Sequence, residues 1–317
     1  MKKFIATAIF SLAVLFCFAQ QEQQYTQFFY NKLSLNPGYA GSYDAGCLTG
    51  IYRNQWIGLE GAPKTIALSF DTPLLNKRVG AGLNINNHTI GIQQRLTIDG
   101  VYAYRVRLGQ GTLGIGVQGS IRYIANDYSD DRLKATESIS SDGGIPVGEQ
   151  SKNVPNFGAG LYYSTPKFYI GVSAPRFLNN NIDFNDLNGK VLSREVDHLY
   201  VIAGLLIKIS DKADLQPQVL LKNASDSPFD ADLNLNLIFN KKYTIGATYR
   251  TGGDTGSFGE SIDLLASAYL TDHFMFGLSY DITLSDLKDY NNGSIEAVLR
   301  YCFGKSEGED IINPRFF

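Results

Sequence analysis

From Gly46 to Phe303 the chain alternates apolar and polar residues in one short segment after another, about fourteen in all. A strand puts successive side chains on opposite faces, so period-two alternation marks strands with two unlike surroundings. The last segment shows it in full. Ile295, Ala297, Leu299, Tyr301 and Phe303 share one face, and Ser294, Glu296, Val298, Arg300 and Cys302 share the other. Farther back, Leu233, Leu235, Leu237 and Phe239 interleave with Asp232, Asn234, Asn236 and Asn240. A soluble sandwich would turn the apolar face into a core; a membrane barrel turns it toward lipid and the polar face toward a lumen.

The connections separate these two classes. One set is short: 73–78, 109–112, 165–167, 210–214, 241–242 and 271–273. The set between them is longer or richer in turn residues: 124–156, 175–197, 222–231, 252–261 and 285–292. Short turns alternating with long loops are the pattern of an outer-membrane barrel, with turns in the periplasm and loops outside. Composition agrees: 19% of residues are charged, 12% are aromatic, and Tyr and Phe supply all but one of the aromatics. The expected fold is all-β, a transmembrane antiparallel outer-membrane β-barrel of about fourteen strands spanning 46–303.

Lys2 and Lys3 precede an apolar run from Phe4 to Phe18, with Cys17 and Ala19 placed for a cut before Gln20. Residues 1–19 therefore read as a secretory signal peptide. Phe16 is bulky where a lipoprotein needs a small residue before its cysteine. Beyond this run no stretch of about 18 apolar residues remains, which excludes helical spans. Removing Lys2 and Lys3 takes the formal charge from −3 to −5, against nucleic acid as a partner. Residues 20–45 have no clear period and read as an N-terminal periplasmic segment, with a turn signal at Asn36-Pro37-Gly38. Residues 304–317 read as a periplasmic tail.

In a closed barrel the first and last strands pair. Cys47 begins the first and Cys302 ends the last, both with inward parity. They are expected to be neighbours at the periplasmic rim, as a disulfide or as two unpaired small residues.

Several stretches together resemble the PorP/SprF family of type IX secretion and gliding proteins of Bacteroidetes. They begin with Gln27-Phe28, Asn36-Pro37 and Tyr39-Ala40-Gly41-Ser42. Arg53-Asn54-Gln55-Trp56-Ile57-Gly58 then runs on into Glu60-Gly61-Ala62-Pro63-Lys64-Thr65. Tyr102-Ala103-Tyr104-Arg105 follows, and Asn313-Pro314-Arg315-Phe316-Phe317 ends the chain. The resemblance implies a non-enzymatic barrel supporting secretion or surface attachment of cargo adhesins, in contact with periplasmic ring lipoproteins or with the cargo. The signature residues are then the partner-contact candidates.

Nothing in the residues points to catalysis or a cofactor. His88, His198 and His273 are scattered without metal-ligand spacing, and no G-x-S-x-G is present. Gly114-Ile115-Gly116 and Gly158-Ala159-Gly160 lie inside strands with no helix following, so they suit barrel bends and close strand packing rather than phosphate binding. Arg53, Gln55, Asp99, Arg105, Arg107 and Arg122 face inward by parity, as an ion-pair network narrowing the lumen or as ordinary lumen polarity. Trp56 is expected in the outer aromatic girdle, with the connection 58–64 folded inward as the alternative. Two other functions stay open: a passive porin for small solutes, and a surface-binding protein acting through 124–156. Deleting residues 305–317 is expected to leave barrel assembly intact and weaken partner capture; unchanged co-purification would defeat the tail's docking role.

Overall fold

The computed structural model describes residues 22–43, 45–133, 148–184, 193–224, 229–252 and 259–303. Its 14 antiparallel strands close into one barrel. They are β1 (Gly46–Asn54), β2 (Lys64–Leu74), β3 (Val79–Ile90), β4 (Gln93–Leu108), β5 (Gly111–Asp127), β6 (Glu149–Ser164), β7 (Phe168–Ala174) and β8 (His198–Leu205). There follow β9 (Ala213–Ala224), β10 (Asp230–Phe239), β11 (Tyr243–Arg250), β12 (Ser261–Tyr269), β13 (Phe274–Thr283) and β14 (Ser294–Phe303). After Leu206, β8 resumes for Ile207–Lys208, still paired with β9. Each strand pairs with its sequence neighbours, and β1 pairs with β14 from Gly46↔Phe303 to Asn54↔Ile295, so no edge is left open.

The two faces divide as the alternation requires. Ile66, Tyr102, Val117, Phe157 and Leu235 stand about half exposed on the outside, while Thr65, Asp99, Gln118, Asn156 and Asn234 are buried inside. Each large apolar side chain left in water forfeits about 1.5–3 kcal/mol of burial, so an outer face of this composition belongs in lipid. There, every backbone group must be paired within the protein, which the closed ladder achieves.

The short connections lie at the end where β1 begins and β14 stops, here called the turn end; the longer ones lie at the opposite, loop end. Loop length is less strictly sorted than the sequence implies. β3 and β4 run on to Ile90 and Gln93, leaving only Gly91 and Ile92 between them at the loop end, with Gly91 in the left-handed region (φ 54°).

The described part of 20–45 corrects the expectation of a periplasmic segment. It fills the lumen, with Tyr25, Thr26, Gln27, Phe28, Leu33, Asn36 and Ala40 all buried. A polypeptide without strand periodicity finds its partners there because the inner wall is lined with carboxylates, amides and glycines. The expected signal peptide 1–19 and tail 304–317 lie outside the described residues.

At the turn end Cys47 faces Cys302 across the β1–β14 seam, and the two are joined by a disulfide with 4.1 Å between Cα atoms. The bond ties the first strand to the last, and a cross-link over so long a loop contributes about 2–4 kcal/mol. Reduction, or Cys47→Ser, is expected to lower the temperature at which the folded barrel unfolds in a gel-shift assay; an unchanged transition would show that the ladder alone holds the seam.

Candidate functional site: a plugged lumen

The plug rises from Tyr43 at the turn end toward the loop end, in three single 3-10 turns, Phe28–Tyr30, Lys32–Ser34 and Pro37–Tyr39. Such turns leave backbone groups without internal partners, and the wall supplies them. Glu296 on β14 accepts the Thr26 and Gln27 amides at 2.9 and 2.8 Å. The same carboxylate pairs with Arg53 at 3.2 Å, and Arg53 pairs with Asp281 on β13 at 2.7 Å. The Thr26 hydroxyl sits among them, donating to Asp281 at 2.8 Å and accepting from Arg53 at 2.8 Å. Beside this group Arg250 bonds Asp232 at 2.9 Å, and Lys222 holds Asp230 and Asp232 at 2.9 and 3.1 Å. Arg53 is thus the hub of a buried network that grips the plug. Removing it would strand two buried carboxylates, at a cost of about 3–5 kcal/mol.

Lower down, the plug backbone lies directly on the wall. The Asn36 side chain donates to the Leu161 carbonyl at 2.9 Å and accepts the Gly38 amide at 2.8 Å, capping the third turn. Ser173 donates to the Leu35 carbonyl at 2.6 Å, and the Gly41 amide donates to Asp71 at 3.0 Å. Gly114 and Gly116 make this approach possible: a Cβ at either would collide with the Gly38 carbonyl or the Pro37 backbone. The sequence placed these glycines correctly in strands but attributed them to strand packing; their partner is the plug.

At the top Glu22 is held between Arg122 and Arg176 at 2.7 and 3.1 Å, and Arg122 reaches Glu195 at 3.0 Å. Near the turn end Arg300 bonds the Tyr39 hydroxyl at 3.3 Å and lies 4.6 Å from the Tyr43 ring. Lys32 is buried 4.0 Å over the Tyr169 ring. Two pockets between plug and wall have volumes of about 40 and about 30 Å³, room for a few waters at most.

The signature residues divide between two places. Asn36, Pro37, Gly41 and Arg53 lie, at different heights, where plug and wall join. Asn54, Trp56, Gly61 and Lys64 instead line a cleft of about 670 Å³ at the loop end, outside the lumen. Gln55 and Pro63 are buried at the base of the β1–β2 connection, closed by the Gln55 amide on the Pro63 carbonyl at 2.9 Å. Trp56 lies beyond the end of β1, not on the outer strand face expected of a girdle residue. Its backbone is left-handed (φ 47°), and its amide donates to Ser294 Oγ at 3.1 Å. Asn313, Pro314, Arg315, Phe316 and Phe317 lie outside the described residues.

Of the other inward residues, Asp99 accepts from Ser120 at 2.5 Å and Arg105 is buried. Arg107 is exposed, because β4 outruns the lumen. Parity alone did not single out Glu296, Asp281, Thr26 or Glu22. The seam could have found one of them: once Cys47 is set opposite Cys302, counting along both strands sets Arg53 opposite Glu296.

A family profile described as type IX secretion system membrane protein PorP/SprF matches residues 17–301. The chain belongs to the PorP/SprF family. No curated protein matches it. Among solved structures this PorP/SprF chain is similar to the CymD monoaromatic hydrocarbon channel, at 13% identity and a TM-score of 0.53, over 87% of this chain and 92% of that one. A second similar structure is the Acinetobacter baumannii outer membrane protein Omp33, at 9% identity and a TM-score of 0.47, over 83% of this chain and all of that one. The CymD likeness is one of fold.

Gly116→Val is expected to leave a closed barrel but expel the plug, so that residues 22–43 become cleavable by added protease. Continued protection of the segment would show that the glycine track is not what admits it.

Proposed function

We propose that this PorP/SprF barrel is a sealed, non-enzymatic platform of the type IX secretion machinery, which supports secretion or surface attachment of cargo adhesins by holding periplasmic ring lipoproteins or the cargo at its ends. The observation that carries this reading is the filled lumen. Twenty-odd residues of the chain's own N-terminal segment occupy the space a solute would need, fastened by Glu296, Arg53 and Asn36. That weighs against the passive porin.

The turn end, periplasmic by the rule that short turns face inward, is the natural side for a soluble partner. Among the described residues Arg78, Arg107, Lys167, Lys212 and Lys242 are exposed there, against Asp211 and Asp272. A surface of that balance suits a partner with acidic chemistry.

In planar bilayers the full chain is expected to be silent, and a variant lacking residues 22–43 to conduct. A steady open pore in the full chain would overturn the sealed platform. Tagged protein from envelopes is expected to co-elute secretion components, less so with Lys167→Glu and Lys242→Glu; identical capture would remove the turn end from the reading.

A further inference from the structure

The loop-end cleft takes no part in sealing the lumen, and its floor is built from the outer wall. Asn54 pairs with Lys64, Lys64 with Thr89, and Thr89 with Gln94, a single row across β1 to β4. Thr65 and His88, their chain neighbours, are buried inward, so this row faces outward. Asn87 extends it one step down, accepting from the Gln94 side chain at 3.1 Å. Directly below, Tyr52 pairs with Ile66, both exposed on the apolar belt. A polar shelf therefore begins where the lipid-facing surface stops, at the level of lipid headgroups.

The cleft above that shelf has an aromatic wall and polar sides. Trp56 is fixed in a conformation that a non-glycine residue adopts only when its surroundings impose it. The Ile57 amide bonds the Gly293 carbonyl at 2.8 Å, and the Asn292 amide bonds the Ile57 carbonyl at 2.7 Å, which hold the connection in place. Arg132, near Gly61, also lines the cleft, gripping Asp130 at 2.8 and 2.6 Å; those bonds hold the Asp130 carboxyl below the usual carboxylate range.

We propose that this cleft binds the sugar headgroup of a glycolipid lying against the loop end of the barrel. The proposal rests on the outer-membrane placement and on loops facing outward. The amide, ammonium and hydroxyl side chains of that row match the adjacent hydroxyls of a sugar ring, and an aromatic face takes its C–H side. A bare phosphodiester headgroup fits less well, because Glu60, Asp127 and Asp130 outnumber Lys64 and Arg132 around the cleft. An extended peptide fits less well too: strands β1 to β4 are paired on both sides and offer no edge.

Trp56 is the chain's one tryptophan, so its emission reports on this cleft alone. Full chain in detergent would be titrated with rough lipopolysaccharide, with the core oligosaccharide released from it, with phosphatidylglycerol, and with an unrelated extended peptide. Saturable emission shifts are expected with both sugar probes, tighter for the glycolipid, and none with the other two. Asn54→Ala with Thr89→Ala is expected to weaken both by about tenfold, the loss of two hydrogen bonds, with the folded gel mobility kept. Calorimetry on Trp56→Phe gives a second readout, expected to show weakened binding. An equal response to phosphatidylglycerol, a response to the peptide, unchanged affinity in the double variant, or no binding by either method would overturn the site. Equal affinity for the released oligosaccharide would overturn the leaflet as its source. None of these readouts depends on the lumen being sealed or on any secretion partner.

Discussion

A sheet in lipid cannot have an edge, because water is absent there to take up the unpaired amides and carbonyls. The seam between β1 and β14 is where this chain meets that requirement, and its register sets much else. Counting from Cys47 opposite Cys302 places Thr49 opposite Arg300 and Arg53 opposite Glu296. A slip of either strand by one residue would turn its own member of the Arg53–Glu296 pair out toward lipid, leaving the other as a buried charge. The disulfide at the turn end and the ion pair near the loop end thus brace the same junction at two heights.

The lumen itself is an unusual interior, densely charged on both wall and plug. Buried ion pairs seldom stabilise a fold relative to apolar packing, but breaking one is costly, since the partner is left as a buried charge. Here the charges are shared between wall and plug. Glu296 answers both a guanidinium and two plug amides, and Glu22 lies between two arginines. Wall and plug are each incomplete without the other, which favours one seating of the segment over sliding or partial exit.

Small residues do the complementary work lower down. Gly80, Gly114 and Gly116 let the plug backbone rest on the wall, and Asn36 donates to the Leu161 and Val172 carbonyls of two adjacent strands.

The residues alone determined the membrane barrel, its fourteen strands, which side chains face lipid, and that Cys47 and Cys302 come together, because all of these follow from a period of two and from closure. The location of the N-terminal segment was decided by tertiary structure. Residues 22–43 have no period, and their partners, Glu296 and Asp281 above all, stand more than 200 positions away across the lumen. Parity assigns a side chain to a face but says nothing of what lies opposite in the space enclosed. The backbone setting of Trp56 was decided the same way: it is held by the connection between β13 and β14, which only the folded barrel brings beside it.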